Sequence, residues 1–155
     1  MNYSKLLEVA IAEARQGLAE GGIPIGACLA DAQGNILGRG HNRPVAGRDP
    51  TAHAEVMALR DAAERMGNYR LTDCMLYVTL EPCAMCAGAI MNARISRVVY
   101  GAADPKSGAC GSVVDLFVEN RLNFHATVAG GVLAGEAAKL LQDFFSTRRR
   151  AGSDV

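Results

Sequence analysis

Segments with helical periodicity alternate with short apolar strands along nearly the whole chain, and few architectures accommodate that order. The first helical pattern runs from about residue 4 to residue 19 and stops at a pair of glycines. Two short strands at 25–30 and 36–40 follow, and the Gly and Asn residues between them suit a hairpin turn. A hairpin followed by helices interleaved with strands predicts an α/β protein with a mixed sheet between two layers of helices.

The rest of the chain continues this alternation. Asp49 as N-cap and Pro50 in the first turn predict a second helix that runs to Gly67 and carries His53 and Glu55 near its start. The other predicted elements are a strand at 75–79, a helix that begins at Glu81 and Pro82 with Cys83 and Cys86 in its first turn, a strand at 97–100, a short helix near 112–118, a strand at 126–129 and a final helix from about 133 to 149.

Length and charge predict one globular domain without a general affinity for nucleic acid. The chain has 155 residues, of which 50% are hydrophobic and 21% are charged, as in ordinary globular domains. We expect residues 1–150 to form one domain and residues 151–155 to form a disordered tail. The 16 Lys and Arg residues balance the 16 Asp and Glu residues, so any contact with nucleic acid has to be local.

A local basic run lies at the end of the last predicted helix, at Arg148, Arg149 and Arg150. Arginines at this end of a helix complement the helix dipole, and basic runs are often only a solvated face. Taken alone, the run favours a solvated helix end, with nucleic-acid contact as the alternative.

Neither the apolar segments nor the cysteines indicate a membrane or secreted protein. No apolar stretch is long enough to cross a bilayer, and five charged residues interrupt the first 20 positions, where a secretory signal needs an apolar core. The five cysteines are an odd number in a chain long enough to build a core without disulfides. We therefore expect a cytoplasmic protein whose cysteines serve a metal or catalysis.

Two short motifs at predicted helix starts together supply the groups of a catalytic zinc site. Cys83 and Cys86 are three residues apart, so their sulfurs share one helix face, and a helix N-terminus favours the thiolate that binds metal. His53 adds an imidazole nitrogen, which makes three protein ligands and leaves the fourth position of a tetrahedral zinc open to water. Glu55 is placed to move a proton from that water to a leaving group.

Two other uses of the cysteine pair remain open at this point. A C-x-x-C pair at a strand-to-helix boundary also occurs in redox proteins, but a redox role leaves His53 and Glu55 unexplained. A structural zinc needs a fourth ligand, which Cys28, Cys74 or Cys110 would have to supply. The ligand count, the carboxylate and the helix placement favour the catalytic site.

The combination of H-x-E at 53–55 with P-C-x-x-C at 82–86 is a known signature of zinc deaminases that act on cytosine or adenine. With it, the chain resembles the cytidine deaminase-like superfamily, and within it the bacterial tRNA-specific adenosine deaminases, which convert the wobble adenosine of an anticodon to inosine. The stretches that carry this resemblance are 41–44, 49–55, 68–71, 76–90, 94–95, 97–102, 104–106 and 143–145.

The resemblance implies a three-layer α/β/α sandwich on a five-stranded mixed sheet, a homodimer that binds the tRNA anticodon stem-loop, and one Zn²⁺ per subunit. It implies His53, Cys83 and Cys86 as zinc ligands and Glu55 as the catalytic proton shuttle for a zinc-activated water. The residues that it implies for substrate binding are Asn42, Ala54, Asp104, Lys106, Phe145, Arg148 and Arg149.

Parts of the chain depart from that pattern and keep other functions open. Segment 123–125 reads Asn-Phe-His where the family usually has adjacent Asn and His, and the N-terminal third, at 21–26 and 37–42, is similar to cytosine deaminases of the same superfamily. Those enzymes typically carry Gly at the position of Ala54, Ser at that of Glu81, and a C-terminal Trp, whereas this chain has no Trp. The alternatives are a deaminase of a free base or nucleoside, such as cytosine or guanine, natural or engineered as a mosaic, and a non-catalytic RNA-binding module.

Overall fold

The computed structural model describes residues 2–150, so the predicted tail at 151–155 lies outside the described residues. Within this range the chain forms four α-helices and one five-stranded sheet. The helices are α1 (Tyr3–Ala19), α2 (Ala54–Met66), α3 (Ala84–Asn92) and α4 (Ala134–Arg150), and the strands are β1 (Gly26–Ala30), β2 (Ile36–His41), β3 (Met75–Leu80), β4 (Arg97–Ala102) and β5 (Thr127–Ala129).

The sheet is mixed, as predicted, with the strand order β2-β1-β3-β4-β5. Strand β1 runs antiparallel to both of its neighbours, whereas β3, β4 and β5 are parallel. A short hairpin joins β1 to β2, while the crossover through α3 allows β3 and β4 to lie parallel. The chain leaves the carboxyl end of β3 directly into the segment that contains Cys83, so this edge of the sheet positions the first cysteine.

Successive residues of each strand point to opposite faces of the sheet, and helices cover both faces. Ala27 and Leu29 of β1 pack in the core that α2 and α3 build, whereas Cys28 and Ala30 pack against α1 on the other face. All five residues of β1 are buried, as expected for a strand covered on both sides. The molecule is therefore the three-layer α/β/α sandwich that the resemblance implied.

Strand glycines let the helices lie unusually close to the sheet. A Cβ built on Gly40 of β2 would lie 2.5 Å from the backbone nitrogen of Ala58 and 2.8 Å from the carbonyl oxygen of Ala54. These are backbone atoms of α2 and cannot swing aside as a side chain can, so this position accommodates only glycine. Gly40 thus sets the distance between β2 and the start of α2.

We expect Gly40→Ala to destabilise the protein by about 3 kcal/mol, because the added methyl group forces α2 away from the sheet. The matched control is Gly135→Ala in α4, where an added Cβ meets no atom within 4 Å and helix propensity favours alanine. Thermal unfolding compares the Tm of each variant with that of the parent protein. Equal Tm values for Gly40→Ala and the parent would contradict the close approach described here.

The second and third helices begin later than the sequence predicted. Helix α2 starts at Ala54 with His53 as its N-cap, and α3 starts at Ala84 with Cys83 as its N-cap. The predicted N-cap Asp49 instead closes a turn, since its Oδ1 accepts hydrogen bonds from the backbone nitrogen and the hydroxyl of Thr51 at 2.9 and 2.7 Å. Asp favours such turns for the same reason that it favours N-caps, because its carboxylate bonds nearby backbone N–H groups.

The predicted short helix at 112–118 is also wrong in extent, since only Leu116–Val118 form a single 3₁₀ turn. The preceding N–H groups bond elsewhere: Ser112 donates to the Glu81 carboxylate at 3.2 Å, and Val113 donates to the carbonyl of Gly108 at 3.0 Å. These donors are therefore unavailable for a helix.

Two negative findings concern residues 2–150. Among the helices of this range, none combines the length and the apolarity that crossing a membrane requires. All five cysteines are free, which leaves each thiol available for metal or for packing.

Candidate active site

The starts of α2 and α3 meet at one edge of the sheet and bring the predicted ligand residues together. His53 and Cys83 are the N-cap residues of the two helices, and both have extended backbones, with ψ values of 155° and 177°. Cys86 lies in the first turn of α3 and is fully buried. Residues separated by some 30 positions in the sequence thus share one site, because each sits where a helix begins.

The spacing of the three ligand atoms fits a zinc ion. His53 Nδ1 lies 3.6 Å from Cys83 Sγ and 3.5 Å from Cys86 Sγ, and the three atoms lie within 4.8 Å of one another. Typical zinc–nitrogen and zinc–sulfur bonds at a tetrahedral angle place the two donor atoms about 3.6 Å apart. One nitrogen and two sulfurs are also a donor set that zinc prefers.

The electrostatics of these residues favour a thiolate beside the imidazole. Hydrogen bonds from Cys86 and His53 lower the pKa of Cys83 to about 3. The interaction with Cys83, together with burial, raises the pKa of Cys86, while the Cys83 contact raises the pKa of His53. Cys83 therefore carries the thiolate that a metal ion binds, beside an imidazole whose proton a metal ion would replace.

Glu55 lies in the first turn of α2, and only 4% of its surface is exposed. Burial raises the pKa of its carboxyl group to about 7. None of the ion pairs found within residues 2–150 includes Glu55. A carboxyl group that gains and loses a proton near neutral pH is suited to general acid–base catalysis.

A cavity of about 180 Å³ opens between the ligand residues and the loop after β4; its walls include Ile25, Asn42, His53, Glu55, Leu80, Glu81, Cys83, Asp104 and Ser107. Asn42 is 8% exposed, and its Oδ1 accepts a hydrogen bond from the Ala54 backbone nitrogen at 2.7 Å. This bond uses the Ala54 N–H and identifies Oδ1 as the acceptor, which leaves the Nδ2 group of Asn42 as a donor. The amide orientation is thus fixed by the protein before any substrate binds.

Asp104 and Lys106 lie on the loop that follows β4. The Oδ1 atom of Asp104 accepts hydrogen bonds from the backbone nitrogens of Lys106 and Ser107 at 3.0 and 3.2 Å. Asp104 lines the cavity with Ser107, while Lys106 is exposed outside it.

The predicted contact residues of α4 do not line the cavity, but one of them, Arg148, lines a second groove. This groove, about 320 Å³, joins the end of α1 to α4 and shares Asn42 with the cavity. Arg148 lines it, lies over the Phe144 ring at 4.6 Å and donates to the Gly21 carbonyl at 3.1 Å. Phe145 and Arg149 are exposed on the same helix, where both are accessible to a large ligand.

Sequence reasoning missed one charged residue of the cavity wall, Glu81, which is only 2% exposed. Burial acts to raise the pKa of its carboxyl group, but hydrogen bonds from the Ser112 hydroxyl and from three backbone N–H groups outweigh it, so the pKa is lowered. The signal was present in the sequence, since Glu81 is a charged residue between an apolar strand and Pro82.

Comparison with known proteins links this site to a family. Residues 1–102 match the family model described as the cytidine and deoxycytidylate deaminase zinc-binding region. A tRNA-specific adenosine deaminase of Haemophilus influenzae is 48% identical over 145 residues, which cover 94% of this chain and 84% of that protein.

Two solved structures have the same fold. A structure from work on A-to-I editing by tRNA:A34 deaminases at the wobble position of transfer RNA superposes with a TM-score of 0.85 and 43% identity, covering 89% of this chain and 99% of that one. A guanine deaminase from Nitrosomonas europaea superposes with a TM-score of 0.80 at 27% identity, covering 92% of this chain and 84% of that one.

Proposed function

The chain belongs to the cytidine and deoxycytidylate deaminase family, and from that premise we propose that it converts adenosine to inosine at the wobble position of tRNA. The observation that carries this substrate is the difference in similarity between two classes of relative. The tRNA-specific adenosine deaminase is 48% identical over almost the whole chain, and the tRNA:A34 deaminase structure is 43% identical. The guanine deaminase structures from Nitrosomonas europaea and Bacillus subtilis are 27% and 34% identical. The protein is accordingly a zinc-dependent hydrolase.

His53, Cys83 and Cys86 are the proposed ligands of one zinc ion per subunit. Their donor atoms have the spacing and chemistry that the ion requires. When bound there, zinc acts as a Lewis acid that makes water a nucleophile near neutral pH.

Glu55 is the proposed proton shuttle of the reaction. Deamination adds water to adenosine and releases ammonia, so a proton must leave the water, one must reach the purine ring nitrogen, and the departing amine must be protonated. Glu55 is buried, forms no ion pair within residues 2–150 and contacts the Cys86 side chain. The carboxylates of Asp104 and Glu81, in contrast, accept backbone hydrogen bonds from other residues. The Glu55 pKa of about 7 allows this residue to take up and release these protons in turn.

Asn42 and the Ala54 backbone are proposed to hold the base that enters the cavity. The Ala54 N–H orients the Asn42 side chain, which then donates from Nδ2 to a ring nitrogen or hydroxyl of the nucleoside. Reading a base in this way requires that the nucleotide leave the stack of the anticodon loop.

The remaining loop is proposed to lie along the exposed residues around the cavity. Asp104 lines the cavity and Lys106 is exposed on the same loop of the protein. On α4, Arg148 lines the neighbouring groove, and Phe145 and Arg149 are exposed. Arginine and lysine suit phosphate contacts, and an exposed aromatic ring suits stacking with an unpaired base. A local patch of this kind binds RNA in a protein whose net charge is zero.

We further propose that residues 1–150 act as one deaminase domain, that two copies form a homodimer, and that the protein works in the cytoplasm. Four exposed valine and leucine side chains support the homodimer, since a second copy would remove them from water: Val113, Val114, Val118 and Leu122. The five free cysteines support the location, because the cytoplasm is reducing and keeps the ligand thiols from forming disulfides.

The experiment that tests the substrate compares kcat/KM of the zinc-loaded protein for an anticodon stem-loop with a wobble adenosine, for free adenosine and for free guanine. We expect the stem-loop to be preferred by orders of magnitude, because exposed residues beyond the cavity contribute only to binding the larger ligand. A preference for guanine would favour the second candidate, a free-base deaminase, for which the guanine deaminase structure is the supporting observation.

A further inference from the structure

The carboxylate of Glu81 is buried, and it accepts hydrogen bonds from a loop that lies more than 20 residues further along the sequence. Its Oε1 accepts from the Asp104 backbone nitrogen at 3.0 Å and from the Ser112 hydroxyl. Its Oε2 accepts from the backbone nitrogens of Cys110 and Ser112 at 2.9 and 3.2 Å. Four donors on one carboxylate fix the loop from residue 104 to residue 112 at both of its ends.

This carboxylate is balanced by N–H and O–H groups and not by a cation. The ion pairs found between residues 2 and 150 do not include Glu81. The loop also wraps closely around it, because a Cβ on Gly108 would collide with the carboxylate and would lie 2.6 Å from the Asp104 carbonyl oxygen. The loop conformation therefore depends on an acceptor with two charged oxygens at this position.

The anchored loop reaches the cavity through Asp104. The Asp104 backbone is held by Glu81, its side chain holds the nitrogens of Lys106 and Ser107, and its carbonyl accepts from Gly108 at 2.9 Å. Asp104 and Ser107 line the cavity, and Lys106 points outward beside it. Glu81 touches the cavity as well, but both of its oxygens are occupied by the loop.

We propose that Glu81 is a positioning residue that selects RNA over free nucleosides, by holding the 104–112 loop where Asp104 and Lys106 meet the nucleotides around the reacting base. This inference rests on the proposed function, because it concerns how the same site recognises tRNA. A free nucleoside occupies only the cavity. It contacts this loop only where Asp104 and Ser107 form the cavity wall.

The test is Glu81→Gln, which keeps the size of the side chain and replaces one acceptor oxygen by an NH₂ group that opposes backbone N–H donors. We expect the KM for the stem-loop to rise about tenfold, the loss expected for one charge-assisted hydrogen bond. We expect kcat for the stem-loop, kcat/KM for free adenosine and zinc content to change little. Amide hydrogen exchange of residues 104–112 should be faster than in the parent, with the rest of the chain unaltered.

Two companion variants keep the test decisive. Ser112→Ala removes one donor and leaves the other three, so it should raise the KM for the stem-loop by a smaller factor than Glu81→Gln does. This variant also tests the role of Glu81 if Glu81→Gln does not fold. In the double variant, the two effects on KM should be less than additive. Glu64→Gln on α2 is the matched control at an exposed glutamate, and we expect it to match the parent.

Each outcome separates this inference from the proposed function. If the parent protein leaves the stem-loop unchanged, the proposed function fails before any variant is compared, and the inference fails with it. If the parent edits the stem-loop but Glu81→Gln has the parental KM, or loses zinc, or shows unchanged exchange in the loop, only the role of Glu81 is overturned. An equal loss on the stem-loop and on free adenosine also overturns it, because that pattern indicates damage to the catalytic centre.

Discussion

Glu55→Gln is expected to lower kcat on the stem-loop by roughly 10²- to 10⁴-fold, the range for removal of a general acid–base group. The side chain is buried, forms no ion pair within the part of the chain that the structure describes, and lines the same cavity as His53 and Cys83. Glutamine has the same shape but cannot take up or release the protons. Because the lost interaction is with reacting atoms, KM should change far less than kcat.

Zinc content and RNA affinity should survive this substitution, since Glu55 is not one of the three ligand residues. The unfolding temperature should not fall either, because an uncharged amide replaces a carboxyl group whose ionisation is opposed by burial. Metal analysis, RNA titration and thermal unfolding check these points, with Glu64→Gln as the exposed control. Turnover near the parental level would show that another group moves the protons.

Cys86→Ala is expected to remove zinc and, with it, all measurable deamination. Cys86 Sγ lies 3.5 Å from His53 Nδ1 inside the ligand cluster and is fully buried, so no solvent ligand reaches its place easily. Two remaining ligands do not make a zinc site of this kind. Elemental analysis of the purified variant should give close to no zinc per chain, and its Tm should fall, because metal that binds only the folded state stabilises it.

Cys110→Ala is the matched control for this prediction. Cys110 is also a partly buried free thiol close to the site, but its contact with Glu81 is made by the backbone nitrogen, which alanine retains. This variant should keep zinc and activity. If Cys86→Ala retained stoichiometric zinc, or if Cys110→Ala lost it, the assignment of ligands would be wrong.

The ligand cluster was predictable because its signals are local. The spacing of Cys83 and Cys86 places both sulfurs at one helix start, and His53 lies at another start. The alternation of helices and strands likewise predicted the mixed sheet, since the periodicity of each segment depends on its immediate neighbours. The sequence prediction placed the start of α2 too early, because the Asp49 carboxylate bonds nearby backbone N–H groups in a turn as readily as at a helix N-cap.

The features that could not be predicted depend on partners far apart along the chain. Glu81 bonds to groups 23, 29 and 31 residues away, and Arg148 donates to a carbonyl 127 residues away. A single sequence indicates that a charged residue stands beside Pro82, but not which loop returns to it. The 104–112 loop has no periodic pattern, and its conformation depends on Glu81 as well as on the turn that Asp104 forms.

The most direct test of the proposed function is product analysis after incubation of the zinc-loaded protein with a wobble-adenosine stem-loop and free guanine in the same tube. The water of this reaction is enriched in the heavy oxygen isotope ¹⁸O. Hydrolytic deamination predicts inosine at the wobble position, carrying one heavy oxygen from the solvent, with guanine unchanged. Mass spectrometry of the digested RNA and of the free bases reads both products from one tube. An unaltered stem-loop with xanthine formed from guanine would contradict the proposed substrate.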